Sequence, residues 1–587
     1  KPSPERAPAY FQTALAALDR LVGAVSEALA LSSSWGILAG PTPAGFDHRL
    51  GAIRRDLCAA LEALNGPELE QIARHAFFMQ PSYAQISGLV LLQGTTGADI
   101  RGVTRLTDRF EQWAQEPATT PQGREDRLRQ MLVMMLYRQP WQVPLLRDLA
   151  DLPAAGGAAY LGWLNQSPIL CRAGDEAAYA GFVLRYMEWL ERHLSADRPL
   201  AQVLLVGQAI GSLDLGKLLL IDQPLRAVQD RRNRLLTRLA LREGCARGQV
   251  RATDGSEGRI RIGVLCRTFD KGPDSEAVVA FFRAFDPARY DIRAYSIGLR
   301  DRVGGQDDAF ERLFHATIQQ ATVLENDAAH IRRRLIFDNL DVFLFANATT
   351  YGIRDLDKAL FHRVAPVQAV LNSHLPMPLG YPSFDAFITG KAATADMDVP
   401  QEDYCETLIR RPGPVINYLS SLQPRADKGL TRADFGLAQD DVVAMTAGSL
   451  AKLGHECLST MMRAVKDIPR GRLLIAPYNP GWAGRSLAIP FNRQIAQTAA
   501  EVGLDPDRIT VLGEMTVAET EAALGLADIY LNPFPHGGAT MMHLALVYGK
   551  PAVTLRRRST RSIDQFLLSA LGFDDLLAQT PQDYVTL

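Results

Sequence analysis

The sequence is poor in the patterns that mark secreted, disulfide-stabilised and zinc-binding proteins. Its 587 residues include six cysteines, no two of which form a CxxC pair: Cys58, Cys171, Cys245, Cys266, Cys405 and Cys457. Such scattered spacing indicates neither a disulfide framework nor a metal site and is typical of a protein in a reducing compartment. We therefore expect a cytoplasmic protein.

Two further absences concern charge and hydrophobic runs. The 63 basic and 65 acidic residues give a net charge of −2, so the sequence does not indicate a basic surface for nucleic acid. It has no uncharged apolar run of about 18 residues, so we expect no membrane span. The first residues, KPSPERAPAYF, lack a signal-peptide core, and whether natural residues precede Lys1 or follow Leu587 stays open.

The two commonest phosphate-binding fingerprints are also missing. The sequence has no GxxxxGK[ST] loop. After the apolar segment Ile260–Leu265, where a dinucleotide-binding protein would have GxGxxG, the sequence continues CRTFDKGPD. Any nucleotide site in this protein must therefore use other loops.

The sequence does contain a long helical region at its start. Apolar residues recur at steps of three and four from Phe11 to Leu29, which indicates one helical stripe. Similar spacing occurs over residues 57–64, 127–137, 177–194 and 200–220. There is no fixed repeat period, so a tetratricopeptide array is not supported. We predict an all-α domain over residues 1–245, followed by a glycine-rich linker at Gly244–Gly258.

After the linker, short apolar segments alternate with helical ones, which indicates βαβ units and parallel sheets. The first series predicts strands at residues 260–265, 291–296, 342–345, 367–371 and 386–389. The second series predicts strands at residues 442–446, 472–476, 509–512, 529–531 and 552–555. The predicted fold class is therefore α/β, with two Rossmann-like lobes at residues 259–410 and 411–587. We expect the Pro-rich RRPGP at Arg410–Pro414 to join them and the lobes to face each other across a cleft.

Ligands of such sheets bind beyond the carboxyl ends of the strands, where the segment NPFPHGGATMMH lies. A small-residue turn that opens a helix directs unpaired N–H groups outward beside the positive end of the helix dipole, which suits a phosphate. Any α/β protein also uses glycines at such turns, so a purely structural role stays open. The candidate donor-binding residues of this segment are Asn532, His536, Gly537, Gly538, Ala539 and Thr540.

Two other predicted strands of the same series end in candidate binding loops. TAGSLAKLG offers the hydroxyls of Thr446 and Ser449 and the ammonium of Lys452 to a diphosphate. A solvated lysine before a helix is the alternative. Farther along the chain, Leu512, Gly513 and Met515 follow a third strand and are expected to border a nucleobase through backbone groups.

Three segments resemble glycosyltransferase family 41, which contains the O-linked N-acetylglucosamine transferases and the bacterial adhesin N-glucosyltransferases. They are APVQAVLNSHLPMPLGYPSFDAFITG, the Lys452 loop, and ADIYLNPFPHGGATMMH. The NPFP within the last segment and RSIDQFLLSALG at Arg561–Gly572 are similar to the adhesin-modifying branch. The resemblance covers roughly residues 259–587, and the helical region is similar only in kind.

The resemblance implies a GT-B type fold that transfers a sugar from a nucleotide diphosphate with inversion and without a metal. It places Lys452 on the diphosphate. We expect a UDP-linked sugar donor, a protein acceptor modified on Asn or on Ser or Thr, and no cofactor. The absence of a DxD-like motif agrees with this expectation, because an ammonium and helix-start amides can replace Mg²⁺ at the departing diphosphate.

The sequence departs from the family in both predicted lobes. In the second lobe the ribose-binding Asp of the family aligns with Leu544, which is next to His543. In the first lobe the loop after the first strand has no histidine, where the family places one near the acceptor. Three carboxylates of that loop and the following helix start are candidate general bases, or else ordinary solvated or capping acids: Asp270, Asp274 and Glu276.

Two histidines follow predicted strands and are candidate site residues. His374 aligns with the family and is expected to contact donor or acceptor. His536 is expected either to line the sugar pocket or to cap a helix start. Asn347, Thr349 and Thr350 end another predicted strand and are expected along the path of the acceptor chain.

The resemblance thus implies a hexosyltransferase that acts on protein, and two alternatives stay open. The missing ribose acid and loop histidines are also typical of a degenerate, non-catalytic binding protein, in which the helical domain would be the working part. A nucleotide-sugar 2-epimerase shares the two-lobed fold but would not need that domain. The donor sugar, the acceptor protein and the oligomeric state do not follow from the sequence.

Overall fold

The structure is a computed structural model of the chain. It describes residues 7–32, 46–75, 108–166, 168–195, 198–222, 226–242, 258–266, 269, 273–297, 309–346, 355–371, 379–391, 400–413, 429–477, 488–557 and 563–587. Asp270, His374, Asn347, Thr349 and Thr350 lie outside the described residues.

The N-terminal part consists of helices, as predicted. They span Ala7–Ser32, Phe46–Ala63, Gly66–Ala73, Pro121–Met135, Ala154–Leu164, Asp175–His193, Leu200–Gly211 and Arg226–Arg242. Local sequence explains several of their starts. Asn65 and Glu68 form a capping box in which each side chain accepts the other residue's backbone N–H. Thr120 accepts from Gly123 N ahead of a proline at the first helical position.

A seven-stranded parallel sheet follows. Its strands are β1 (Ile260–Cys266), β2 (Tyr290–Ser296), β3 (Gln320–Val323), β4 (Val342–Phe345), β5 (Val367–Leu371), β6 (Ala386–Lys391) and β7 (Thr407–Pro412). They pair in the order β3-β2-β1-β4-β5-β6-β7. The connecting helices span Pro273–Phe282, Ala309–Thr317, Ala328–Phe337 and Asp355–Leu360. Buried side chains of β1, β2 and β4, such as Val264, Ile292 and Leu344, form one core with Val278 and Phe314 of the helices.

The structure corrects the predicted junction at Arg410–Pro414. Residues 410–412 belong to β7, and Gly413 makes an isolated bridge to Lys391. A proline ends β7 without cost to the ladder because β7 is an edge strand. The predictions also lacked β3, the other edge strand, most of whose side chains are exposed and therefore leave no apolar pattern in the sequence.

The second predicted series is also parallel. The strands β8 (Val442–Ala447), β9 (Gly471–Ala476), β10 (Ile509–Val511) and β11 (Ile529–Leu531) pair in the order β10-β9-β8-β11. The strands β12 (Ala552–Leu555) and β13 (Leu577–Ala578) pair with each other, and β13 was not predicted. The helices of this part span His455–Lys466, Ala488–Val502, Val517–Leu526, Thr540–Val547, Ile563–Ala570 and Pro581–Thr586.

The chain divides into two compact units. The first unit comprises Lys1–Ala209, Arg425–Pro533 and Thr586. The second unit comprises Ile210–Pro424, Phe534–Val585 and Leu587. The first unit therefore combines N-terminal helices with β8 to β11, and helix Ala7–Ser32 packs there against helix Ala488–Val502.

Within the second unit, a buried polar cluster joins helix Arg226–Arg242 to Asp357 and Tyr381. Arg232, on helix Arg226–Arg242, is fully buried and lies 3.4 Å from Asp357. Tyr381 donates its hydroxyl to Asp357 at 2.6 Å and also contacts the Arg232 guanidinium. Gln229 accepts from Arg232 at 2.6 Å. Burial raises the pKa of Tyr381 well above its usual value, so the phenol stays protonated.

Candidate functional site

The Lys452 loop begins where β8 ends, at the carboxyl edge of the sheet in the first unit. Gly448 N donates to Ala476 O at 3.3 Å, so the loop leaves the ladder after β8. It forms a 3-10 turn at Leu450–Lys452, in which Lys452 N donates to Ser449 O at 2.8 Å. A Cβ on Gly448 would lie 3.7 Å from Lys452 Cδ. The stem of Lys452 therefore crosses Gly448 just beyond the end of β8.

Thr446, the other polar candidate on β8, is fully buried. Its hydroxyl has no hydrogen-bond partner among the described residues. The next residue, Ala447, does have a side-chain partner: the hydroxyl of Tyr530 on β11 donates to Ala447 O at 3.1 Å. A buried hydroxyl without a partner is costly, and it sits here one residue before the strand end.

The segment after β10 presents backbone rather than polar side chains. Leu512 N donates to Ile475 O at 2.8 Å, which continues the ladder for one residue past β10. The side chains of Leu512 and Met515 are buried, whereas Gly513 is partly exposed. A capping box of Thr516 and Glu519 then starts the next helix. The predicted contact of this segment with a nucleobase through backbone groups stays a prediction.

Asn532 follows β11 in the first unit and is fully buried. From Phe534 onward, the segment NPFPHGGATMMH belongs to the second unit. There His536 is buried, and its Nδ1 lies 3.1 Å from Gly537 O. A carbonyl oxygen only accepts, so this bond requires a proton on Nδ1.

The helix after the glycines begins at a strained residue. Ala539 has φ +39° and ψ −86°, a conformation that residues with a Cβ rarely adopt. Helix Thr540–Val547 starts directly after it without a side-chain cap, and Met541 N donates to Gly538 O at 3.0 Å. The first amides of the helix are thus left without a capping side chain at the positive end of its dipole.

Two side chains within helix Thr540–Val547 lie at or beside the position of the ribose-binding Asp that this sequence lacks. Leu544 is 2% exposed and offers no polar atom where the resemblance expects a ribose-binding acid. His543 is half-buried, and burial lowers its pKa below the ordinary 6.5, so it is neutral near pH 7. Neither residue supplies the negative charge of the missing Asp.

Arg557 is a charged residue of the second unit that sequence reasoning missed. It follows β12, and its guanidinium carbon lies 5.7 Å from the ring centre of Phe534. Its Nε lies 3.9 Å from Asp222 Oδ2. Phe534 is itself buried against the ring of Tyr584. The sequence signal that could have identified Arg557 was the run of three arginines after the apolar strand β12.

Of the candidate bases, Glu276 has a described side chain. It lies in the first turn of helix Pro273–Phe282 and is partly exposed, next to the buried Ser275. Asp274 belongs to the same helix, and its side chain lies outside the description. Glu276 thus belongs to the helix that follows β1 in the chain.

Within the described ranges, no group of three or more His, Cys, Asp or Glu side chains is arranged to hold a metal ion. Within the same ranges, none of the helices has the length and apolar character needed to cross a bilayer.

The chain is similar in sequence to proteins named as glycosyltransferases. No protein-family model matches it. A tomato (Solanum lycopersicum) protein named probable UDP-N-acetylglucosamine–peptide N-acetylglucosaminyltransferase SPINDLY is 26% identical over 230 residues, which is 38% of this chain and 23% of the relative. A Petunia hybrida protein of the same name is 25% identical over 315 residues, or 53% of this chain and 32% of the relative. The chain thus spans about a quarter to a third of these relatives.

A solved structure supports the fold. A mutant O-GlcNAc transferase from Thermobaculum terrenum has a TM-score of 0.50 and 18% identity, covering 98% of this chain and 89% of that one. The predicted class, an α/β fold of GT-B type preceded by helices, is confirmed. The resemblance to the O-linked N-acetylglucosamine transferases is confirmed by the sequence matches. The similarity to the adhesin branch stays a prediction.

Proposed function

We propose that the chain is a glycosyltransferase that moves a hexose from a UDP-linked sugar to a side chain of a protein. The proposal is supported by similarity to proteins named as UDP-N-acetylglucosamine–peptide transferases. The structural observation that supports it most directly is the position of Lys452 just beyond the carboxyl end of β8, where parallel sheets bind ligands.

In this proposal, Lys452 and the helix-start amides at Gly538–Thr540 stabilise the departing diphosphate. Negative charge grows on the diphosphate oxygen as its bond to the anomeric carbon breaks. An ammonium and oriented N–H groups oppose that charge without moving, which lowers the barrier. Thr446 and Ser449 add hydroxyls, whereas Leu512–Met515 and Asn532 border the nucleoside.

The acceptor step requires a base. The side-chain nitrogen of Asn, or the oxygen of Ser or Thr, attacks the anomeric carbon from the face opposite the diphosphate and inverts that centre. Its proton passes to a carboxylate, for which Asp270, Asp274 and Glu276 are the candidates. His374 and His536 are proposed to contact the sugar or the acceptor.

The proposal also covers the domains of the chain and the absence of a metal from the reaction. We propose a helical domain over residues 1–245, a first catalytic lobe from residue 259 through β7 and a second catalytic lobe after β7, in a cytoplasmic protein. No metal takes part, since the ammonium and the helix-start amides serve the diphosphate. The acceptor protein is recognised with the help of the helical domain.

One observation favours a second candidate, a nucleotide-binding protein without transferase activity. Leu544 is buried and apolar at the position where an acid should bind the ribose. A protein that has lost this contact binds its donor more weakly or takes a donor with a different nucleoside.

The deciding experiment is a donor screen on the whole chain. UDP-N-acetylglucosamine, UDP-glucose and the same sugars on other nucleotides are incubated with the protein, and release of the nucleoside diphosphate is measured with and without acceptor peptides. Turnover of a UDP-sugar that is abolished in Lys452→Ala supports the transferase. Saturable UDP binding without any turnover supports the binding protein instead.

A further inference from the structure

Gly454, two residues after Lys452, lies against a side chain of the N-terminal helices. A Cβ placed on Gly454 would be 2.5 Å from Oε1 of Glu176, in the first turn of helix Asp175–His193. Gly454 itself has φ −70° and ψ 172°, a conformation open to every residue. Backbone geometry therefore gives no reason for glycine here, and the close approach of Glu176 does.

The position of Glu176 has an electrostatic consequence. Helix His455–Lys466 begins after Gly454 and has no side-chain cap of its own. The first amides of a helix carry partial positive charge, so a carboxylate beside them is stabilising. Glu176 brings that carboxylate from a distant part of the sequence, within the same compact unit.

A second contact lies one residue farther on. His455 Nε2 is 2.8 Å from Glu501 Oε2, and Gln497 donates to the other oxygen of Glu501 at 3.0 Å. The bond from His455, with a smaller contribution from the charge of Arg172, holds the pKa of Glu501 below its usual value. Arg172 thus acts on Glu501, the partner of His455, and Glu176 lies against Gly454.

The segment that carries both residues is itself ordered. Asp175 Oδ2 accepts from Cys171 N and from Arg172 N, both at 2.9 Å. Gly174 adopts φ +86°, a left-handed conformation that favours glycine, immediately before the helix begins. The orientation of Arg172 and Glu176 is therefore set locally.

We propose that segment 172–176 of the N-terminal helices positions the Lys452 loop for nucleotide binding, with Glu176 as the principal positioning residue. The inference rests on the proposed function, because the loop has a ligand to bind only if Lys452 meets a diphosphate. The bond from Lys452 N to Ser449 O closes the turn on one side, and Glu176 at Gly454 fixes it on the other. The helical region then acts on donor binding from outside the donor site.

Gly454→Ala is a clean probe of this contact. The atom that the new methyl group would meet is the end of a flexible side chain, so the carboxylate moves away and the backbone stays in place. Glu176→Ala removes the same carboxylate directly. If both changes act through one contact, the double variant binds UDP no more weakly than either single variant.

The first measurement is calorimetric titration of the whole protein with UDP. We expect Gly454→Ala and Glu176→Ala each to weaken binding about five- to tenfold, and the double variant to match them. Glu188→Ala, at an exposed position on the same helix, serves as the control and should leave the affinity unchanged. Unchanged affinity in Glu176→Ala, or additive losses in the double variant, would overturn the inference.

The second measurement does not depend on nucleotide binding. Amide hydrogen exchange over residues 449–456 should accelerate in Glu176→Ala and not in the Glu188→Ala control. Equal exchange in the two variants overturns the positioning role. If the wild-type protein binds no UDP, the proposed function fails, and the exchange result still decides whether Glu176 holds the loop.

Discussion

The Lys452 loop and the Gly537–Thr540 turn are the two segments that we propose bind the diphosphate, and they offer a negative charge different groups. The first offers a full charge on a flexible stem, and the following helix start is served by Glu176. The second offers backbone amides at a helix start without a side-chain cap. An ammonium can follow a moving ligand, whereas amides are fixed by the fold.

The difference extends to conformational cost. The Lys452 turn has ordinary backbone angles at its ends, at Ser449 and Leu453. Ala539 holds a conformation that costs on the order of 1–3 kcal/mol in a residue with a Cβ. This strained residue directly precedes the helix whose first amides we propose bind the diphosphate.

Removing the ammonium should give the largest effect. Lys452→Ala should lower turnover by about 30- to 1000-fold, equivalent to about 2–4 kcal/mol of transition-state stabilisation, and should weaken UDP binding. Lys452→Arg should restore only part of the activity, because a planar guanidinium does not replace a compact charge. The control is the exposed Lys391→Ala. Full activity in Lys452→Ala would assign the lysine a purely solvated role.

The carboxylates near the end of β1 come next in expected effect. One of Asp270→Asn, Asp274→Asn and Glu276→Gln should lower turnover about 100-fold while donor affinity changes little, because a base acts in the chemical step. Glu325→Gln, at an exposed position shortly after β3, is the control. Steady-state kinetics alongside UDP titration separates the two quantities. Normal turnover in all three variants would mean that another group accepts the proton.

The turn can be tested separately from its hydroxyl. Thr540→Pro removes one backbone N–H at the first helical position, where proline is tolerated, and Thr540→Ala removes only the side chain. We expect the proline variant to bind UDP about tenfold more weakly than the alanine variant. Calorimetry on both, with thermal unfolding to verify the fold, provides the measurement. Equal affinities would show that the amide is not used.

A smaller effect, a pH dependence of thermal stability, is expected from His543 on the helix that follows the glycine turn. Burial lowers the pKa of His543 below 6.5, so on acidification the unfolded chain takes up the proton first and folding weakens. Stability from this group is therefore present above pH 6.5 and is lost as the pH falls below it. His543→Gln should lose less thermal stability between pH 7 and pH 5 than the wild type. The exposed His315→Gln should behave like the wild type.

Chelation should have the smallest effect of all. If the ammonium and the amides suffice for the diphosphate, transfer in EDTA should equal transfer in buffer. Activity that disappears in EDTA and returns with Mg²⁺ or Mn²⁺ would contradict both halves of the comparison, because a cation would then supply the charge.

The sequence was a good guide where burial imposes a pattern. The strands β4, β5, β11 and β12 have the predicted bounds, because apolar runs between turn residues identify buried parallel strands. The strand β3 escaped prediction because most of its side chains are exposed, and part of β7 was assigned to a linker because of its prolines. These are edge strands, which need not be hydrophobic.

Features of the candidate site that depend on tertiary contact could not be predicted. Lys452 and the glycine turn are recognisable because the chain order of strand and loop fixes their place in the sheet. The approach of Glu176 to Gly454 joins residues 278 positions apart, from 176 to 454, and no local pattern encodes it. The stacking of Arg557 on Phe534 likewise arises only in the folded chain.

The buried Arg232 cluster has a practical consequence for dissecting the protein. A fragment that starts at the linker, at residue 259, would remove the guanidinium and leave Asp357 and the Tyr381 hydroxyl in a dry interior. An uncompensated buried charge of this kind costs about 3–5 kcal/mol, a large fraction of the stability of a typical domain. Expression of the strand-containing part alone must therefore begin before Arg226, so that helix Arg226–Arg242 keeps Arg232 beside the Asp357 carboxylate.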